Sequence, residues 1–269
     1  MINLIVQFYK VKYENTDKKL INERQNEINY CFVNNLNNQI IDKIHFLYEL
    51  EEDVEYMESL GISRNHKKIV LVNLNRRVNY QDIFSYANKN NNENDIWIYV
   101  HGDMCLESGF EKLKLIDFNK NNIYALTAHK YNCNKTLNCN CTRQYHTEKG
   151  LMSSSFDGFV FKTPIKEEVV KDCNHIVHRL GAENRTIAIL KNNGYNVVCP
   201  NNTLMCHHVH YVKIFAKQHA SWVEMDGTCK PEEYYNKIHR EQRSKPFKDR
   251  IITNGIPIYL GCAKFVENL

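Results

Sequence analysis

The 269-residue chain predicts an α/β fold, an open and mainly parallel β-sheet covered by helices. Three observations predict it. Runs rich in β-formers, such as "NLIVQFY", alternate with segments of helical periodicity. The first strand, helix and second strand follow at the spacing of a βαβ unit. A hydrophobic content of 43% supplies a core for one large domain.

Each element has its own signal. "NLIVQFY" has the β-former density of a buried strand, and "NERQNEINYCFVNNLNN" carries Ile28, Phe32 and Leu36 at i, i+4, i+8, on one helical face. "IDKIHFLYE" and "HKKIVLVNL" read as strands, "YQDIFSYANKN" as a short helix, and "NDIWIYVHGD" and "NNIYALTAHK" as two further strands. Asparagine-rich "KNNNEND" reads as a solvated loop. In "SSSFDGFVFKTPI" a turn precedes a strand; after Pro164 a helix over "KEEVVKDCNHIVHRL" is expected, broken by Gly181 and followed by a second over "AENRTIAILKNNG". "YNVVCP" and "TLMCHHVHYV" are extended. The rest is a polar tail with an amphipathic helix in "PEEYYNKIHREQR" and a strand-like "IPIYLGCAKFV".

Composition narrows the function classes. The 35 basic and 31 acidic residues are interspersed, giving a net charge of +4 without a polybasic block, which argues against nucleic acid as a partner. No apolar run approaches the roughly 20 residues of a membrane span. "MINLIVQFYK" lacks the features of a signal peptide, so the chain is expected to begin at its first core strand and to reside in the cytoplasm. On that ground the ten cysteines are expected to be reduced, and the sequons at Asn134, Asn140, Asn184 and Asn201 to be unmodified. Cys133, Cys139 and Cys141 lack the C-x2-C spacing of a structural zinc site and read as a polar loop.

Ligands of open α/β sheets bind outside the carboxyl ends of the strands. Those positions hold Gln7, Phe8 and Tyr9, then Glu49, then Arg76 and Arg77, then Asp103. Aromatics can stack a base, arginines bind phosphate and an acid hold a metal; ordinary loop polarity would look the same. Asp103 follows Gly102 and is either an exposed metal ligand or a turn acid. Asp157 could fix a substrate hydroxyl or merely precede a strand. Glu183, in the first turn of a helix, is a general base or a capping acid. "MCHHVHYV" packs Cys206, His207, His208 and His210 at a zinc-like density, yet strand alternation puts Cys206, His208 and His210 on one face and His207 on the other.

Taken in order, "NERQNEI", "HFLYE", "RRVNYQDIFSYAN", "HGD", "FDGFVFKTP", "GAENRTIAILKNNGYNVVCP" and "HHVH" resemble a group of GT-A-fold glycosyltransferase-like proteins found in large DNA viruses and bacteria. The asparagine- and lysine-heavy composition would suit an AT-rich viral genome. The resemblance implies a GT-A-like, Rossmann-like domain over residues 1–215 and a C-terminal extension over 216–269 packing on it. It implies transfer of a sugar from a UDP- or GDP-sugar to a glycan or glycoprotein acceptor, with Mn²⁺ or Mg²⁺ at the diphosphate, inversion at the sugar and a possible homodimer. Residue by residue, Asp103 looks like the last acid of the metal motif, with His208 or His210 reaching the same cation. Phe8 and Tyr9 look like the base-contacting loop, Arg77 and Asn88 like donor contacts, Asp157 like a hydroxyl ligand and Glu183 like the base. His101 and Gly102 stand where the group usually has Asn and Ser. That departure leaves a second expectation, a catalytically silent GT-A-like module that binds glycans or nucleotides.

Overall fold

The computed structural model describes residues 1–13, 16–115, 118–130, 144–147, 150–153, 156–179, 181–200 and 203–212, and beyond them five short strands. The first half alternates as expected: β1 (Ile2–Val6), α1 (Lys18–Asn37), β2 (Lys43–Tyr48), α2 (Glu51–Ser59), β3 (Ile69–Asn73), α3 (Tyr80–Lys89) and β4 (Ile96–Val100). There follow β5 (Met104–Ser108), a 3-10 turn (Phe110–Lys114), β6 (Asn122–Leu126), β7 (Ala128–Lys130), β8 (Gln144–Thr147), β9 (Gly150–Ser153) and β10 (Gly158–Phe161). The chain continues through α4 (Glu167–Asp172), α5 (Ala182–Asn192), β11 (Asn196–Cys199) and β12 (Met205–His208). The last strands are β13 (Ser221–Val223), β14 (Cys229–Pro231), β15 (Ile251–Ile252), β16 (Ile256–Pro257) and β17 (Ala263–Phe265).

Ten strands form one sheet in the order β3-β2-β1-β4-β10-β6-β11-β17-β9-β8. Only β10 and β9 run against the rest. This is a mixed, mainly parallel, Rossmann-like sheet flanked by helices. A second sheet, β5-β12-β7, stands beside it.

Strand alternation sorts the core into two layers. Ile2, Leu4 and Val6 of β1 and Ile96, Ile98 and Val100 of β4 face one side, where Ile28, Phe32 and Leu36 of α1 and Val54 and Met57 of α2 cover them. Ile5, Trp97 and Tyr99 face the other, beneath Tyr80, Ile83 and Phe84 of α3 and Ile187 and Leu190 of α5. Neighbouring β1 and β4 therefore send their flanking helices to opposite faces. That reversal opens a crevice at their carboxyl ends, where such sheets bind ligands.

The helix expected over "KEEVVKDCNHIVHRL" stops at Asp172. Its continuation serves a neighbour instead: the Cys173 and His175 carbonyls accept the Gln81 and Tyr80 amides at the start of α3, and Asn79 forms a bridge with Ile176. Helical geometry would have withheld those carbonyls from the first turn of α3. α2 and β5 carry too few apolar residues for periodicity to reveal them. "NNIYALTAHK" divides at Thr127 between the two sheets, and "IPIYLGCAKFV" yields two short strands. The expected "PEEYYNKIHREQR" helix lies outside the described residues except Pro231, which ends β14. So does the expected boundary near residue 215; from the C-terminal segment, β17 enters the main sheet beside β11. No helix among the described residues is long and apolar enough to cross a membrane.

The small sheet hangs from α1. β5 is an edge strand, and the fully buried Asn35 amide closes that edge by donating to the Met104 carbonyl and accepting from the Leu106 amide, both at 2.9 Å. An Asn35→Leu substitution leaves both backbone groups unpaired. Urea unfolding should then show a loss of about 2–4 kcal/mol, and a loss below about 0.5 kcal/mol would mean that the edge is satisfied in another way.

Candidate active site

At the crevice, β4 runs into His101-Gly102-Asp103. A Cβ on Gly102 would stand 2.5 Å from the Gln7 carbonyl oxygen, so only glycine lets the end of β4 approach the end of β1 this closely. His101 continues the face of Trp97 and Tyr99, whereas Asp103 turns toward α1. Two clusters of titratable groups result.

The first centres on Asp103. Its Oδ2 meets the Arg24 guanidinium, His208 Nε2 at 3.0 Å and His210 Nδ1 at 3.5 Å. The donor atoms of Asp103, His208 and His210 all lie within 4.8 Å of one another, a spacing that could hold one metal ion. Arg24 also donates to Glu27 Oε2 at 2.8 Å and to the Val209 carbonyl at 3.2 Å, while Glu27 Oε1 accepts the Tyr211 and Val212 amides at 2.7 and 2.9 Å. One turn of α1 thus fixes the chain that carries both histidines. His207 points away and pairs with Glu107 at 2.8 Å, and Cys206 is buried in the core, so alternation separates the histidines as expected.

Charge in this cluster is tightly shared. Burial opposes ionisation of Asp103, but His208, Arg24 and His101 overcome it and hold its carboxyl well below the usual range. Burial would likewise lower His208, yet Asp103 raises it to about 9. His210 moves the other way, lowered by burial first and then by Arg24. One carboxylate therefore keeps one imidazolium, and the second histidine stays neutral near pH 7.

The second cluster centres on His101. Its Nε2 lies 3.1 Å from Glu183 Oε1 and its Nδ1 lies 3.6 Å from Asp157 Oδ1. The Glu183 contact has ion-pair distance without hydrogen-bond alignment, since His101 Nε2 has no hydrogen-bond partner. Burial would lower His101, but Glu183, Asp157 and Asp103 together raise it above its ordinary value. Asp157 is raised by burial, with His208 and His101 offsetting part of the effect. Gly181 enters α5 in the left-handed region at φ 83°, which a side chain would strain, and sets Glu183 in the first turn. Glu183 does not serve there as a cap: its Oε1 accepts from Tyr80 Oη at 3.1 Å. His178, itself left-handed at φ 58°, places its ring 4.1 Å from that of His101 and contacts Gln7 Oε1 through Nε2.

Other expected site residues are placed differently. Phe8 is a core residue, 1% exposed and packed on Phe32, Phe46 and Tyr56, so it offers no surface to a base. Tyr9 is half-buried beside Arg24 and Asp103, and burial raises its phenol. Asn88 spends its amide on the backbone of Ile165, accepting from the nitrogen and donating to the oxygen at 2.8 Å each, and so acts as a structural link instead of a donor contact. Arg77 is exposed on the connection after β3, near Tyr13 and Glu49. Arg185, two residues after Glu183, is buried against His175. Arg24, Tyr80 and His178 are the site residues that the sequence reading missed. Arg24 had a signal: counting back four from Ile28 puts a charged residue on the buried stripe of α1.

No protein-family model matches the chain, and no curated protein does. Among solved structures it is similar to the 2-C-methyl-D-erythritol 4-phosphate cytidylyltransferase of Francisella tularensis, with 13% identity, TM-score 0.41, and coverage of 88% of this chain and 98% of that one. It is similar to HddC from Yersinia pseudotuberculosis, with 10% identity, TM-score 0.38 and coverage of 65% and 81%. A third is GalNAc-T7 with UDP, GalNAc and Mn²⁺, at 8% identity, TM-score 0.44 and coverage of 79% and 43%.

The His208–Asp103 pair makes stability depend on pH. A histidine raised from 6.5 to about 9 on folding contributes stability that is fully present below pH 6.5 and lost as pH rises through about 9. The metal-free protein should melt progressively lower across that window, and His208→Gln should flatten the slope. Equal slopes in the two proteins would refute the pairing.

Proposed function

We propose that the chain is a glycosyltransferase that moves a sugar from a UDP- or GDP-sugar to a glycan or glycoprotein acceptor, with inversion and with Mn²⁺ or Mg²⁺ bound. The observation that carries this reading is the meeting of a three-donor cation cluster and a carboxylate held as a base at one crevice. Asp157, 3.6 Å from His101 Nδ1, feels the charges of both clusters, His208 and Asp103 as well as His101 and Glu183.

The donor set fits a divalent cation. One carboxylate oxygen and two imidazole nitrogens suit Mn²⁺ better than Mg²⁺, which prefers oxygen ligands. Bound by Asp103, His208 and His210, the cation would neutralise charge that builds on the leaving diphosphate. Exposed Arg77 supplies a further positive charge for phosphate.

Glu183 is the base. Tyr80 and His101 both approach its Oε1, which orients the carboxylate and leaves Oε2 to take the proton of an acceptor hydroxyl as that oxygen attacks the anomeric carbon. Asp157 accepts a hydrogen bond from a sugar hydroxyl. A single displacement of this kind inverts the configuration.

One observation favours a second reading. The Arg24 guanidinium already occupies the Asp103 oxygen that the histidines approach, a positive charge where a cation would otherwise sit. This suits a catalytically silent GT-A-like module that binds a glycan or nucleotide without turnover.

Donor hydrolysis across UDP-, GDP- and CMP-sugars, with and without Mn²⁺, tests both. The transferase reading expects Mn²⁺-stimulated hydrolysis of one donor, a roughly 10²–10⁴-fold lower turnover in Glu183→Gln with donor affinity kept, and loss of the Mn²⁺ response in Asp103→Asn. A donor-induced rise in melting temperature without turnover, unchanged in both variants, supports the module. No thermal shift with any donor would sink the transferase reading.

A further inference from the structure

α1 carries a second polar flank that the proposed chemistry does not use. Glu27, Cys31 and Asn35 are spaced by four residues and stack on one side of the helix. Glu27 holds the Tyr211 and Val212 amides, and Asn35 holds the Met104 carbonyl and the Leu106 amide. Between these anchors, Cys31 packs with Cys105 and Val209 in a cluster of its own, apart from both main cores. Cys105 is the residue flanked by Met104 and Leu106, so Asn35 brackets it on both sides.

Both sulfurs are free thiols; Cys31 is fully buried and Cys105 is 5% exposed. Cys105 Sγ also lies 3.9 Å from the His207 carbonyl oxygen. The other described cysteines sit elsewhere, Cys206 in one main core and Cys173 and Cys199 in the other.

We propose that Cys31 and Cys105 are an oxidisable pair that closes to a disulfide when the chain meets a peroxide. The thiolate of one attacks the peroxide O–O bond, forming a sulfenic acid as the first water leaves. The sulfur of the other then attacks that sulfenic sulfur, the S–S bond forms and the sulfenic oxygen departs as the second water. Two thiols lose two protons and two electrons, and one hydrogen peroxide becomes two waters. The bridge fastens α1, which carries Arg24 and Glu27, to β5 beside the segment of His208 and His210. It does not depend on the transferase reading.

The full chain, reduced and then treated natively with hydrogen peroxide, is denatured in N-ethylmaleimide and mapped by non-reducing peptide mass spectrometry. The expected result is a Cys31–Cys105 linked peptide, two hydrogens lighter than its parts and released by dithiothreitol. In Cys31→Ser no linked peptide should form, and Cys105 should be recovered unbridged. Full alkylation of both cysteines after oxidation would overturn the proposal. So would a bridge from Cys105 to Cys206, or conversion of Cys105 to sulfinic acid in the wild-type chain without a bridge. If the variant does not fold, the wild-type map alone decides.

Discussion

The buried contact between Arg24 and Asp103 is the constraint on which the site depends. Arg24 and Asp103 are 6% and 11% exposed at their side chains, so each has given up most of its water. Such a pair survives only when its remaining hydrogen-bonding capacity is also satisfied. Here Glu27, the Val209 carbonyl and His208 complete it. Satisfying that charge draws together α1, the end of β4 and the chain after β12, three elements distant in sequence. The site geometry is thus a by-product of neutralising one guanidinium.

Across the crevice the same principle operates with the signs exchanged. His101 is a single imidazole between two carboxylates, Glu183 and Asp157, while Asp103 is a single carboxylate among Arg24 and two histidines. Around His101 the carboxylates outnumber the imidazole, whereas around Asp103 the charges of Arg24 and His208 are matched by those of Asp103 and Glu27.

Much of the fold could be read from the sequence because strands at the centre of a parallel sheet are buried on both faces and must be written in β-formers. β1 and β4 are such strands. Asp103, Asp157 and Glu183 stood out as candidates for a related reason, since each stands where an apolar run ends or a helix begins. Phe8 was misread because the alternation of Leu4 and Val6 continues one step beyond the strand and carries its ring into the core. Asn88 looked available on its short helix, but the backbone of Ile165 claims it, a contact across 77 residues that no local pattern encodes. His178 had no signal at all, because the expected helix would have given it a different backbone conformation and another direction.

The finished edge of β5 has a consequence beyond the site. An exposed strand edge is a template on which a foreign strand can add, and many proteins defend such edges with charge, proline or a bulge. This chain uses side-chain amides: Asn35 takes up one donor and one acceptor of the edge, and Asn38 donates to the Leu106 carbonyl at 3.2 Å. To a neighbouring chain the small sheet therefore offers a helix where a pairing partner would look for a strand. Domain swapping and fibril growth are blocked there for as long as α1 remains docked.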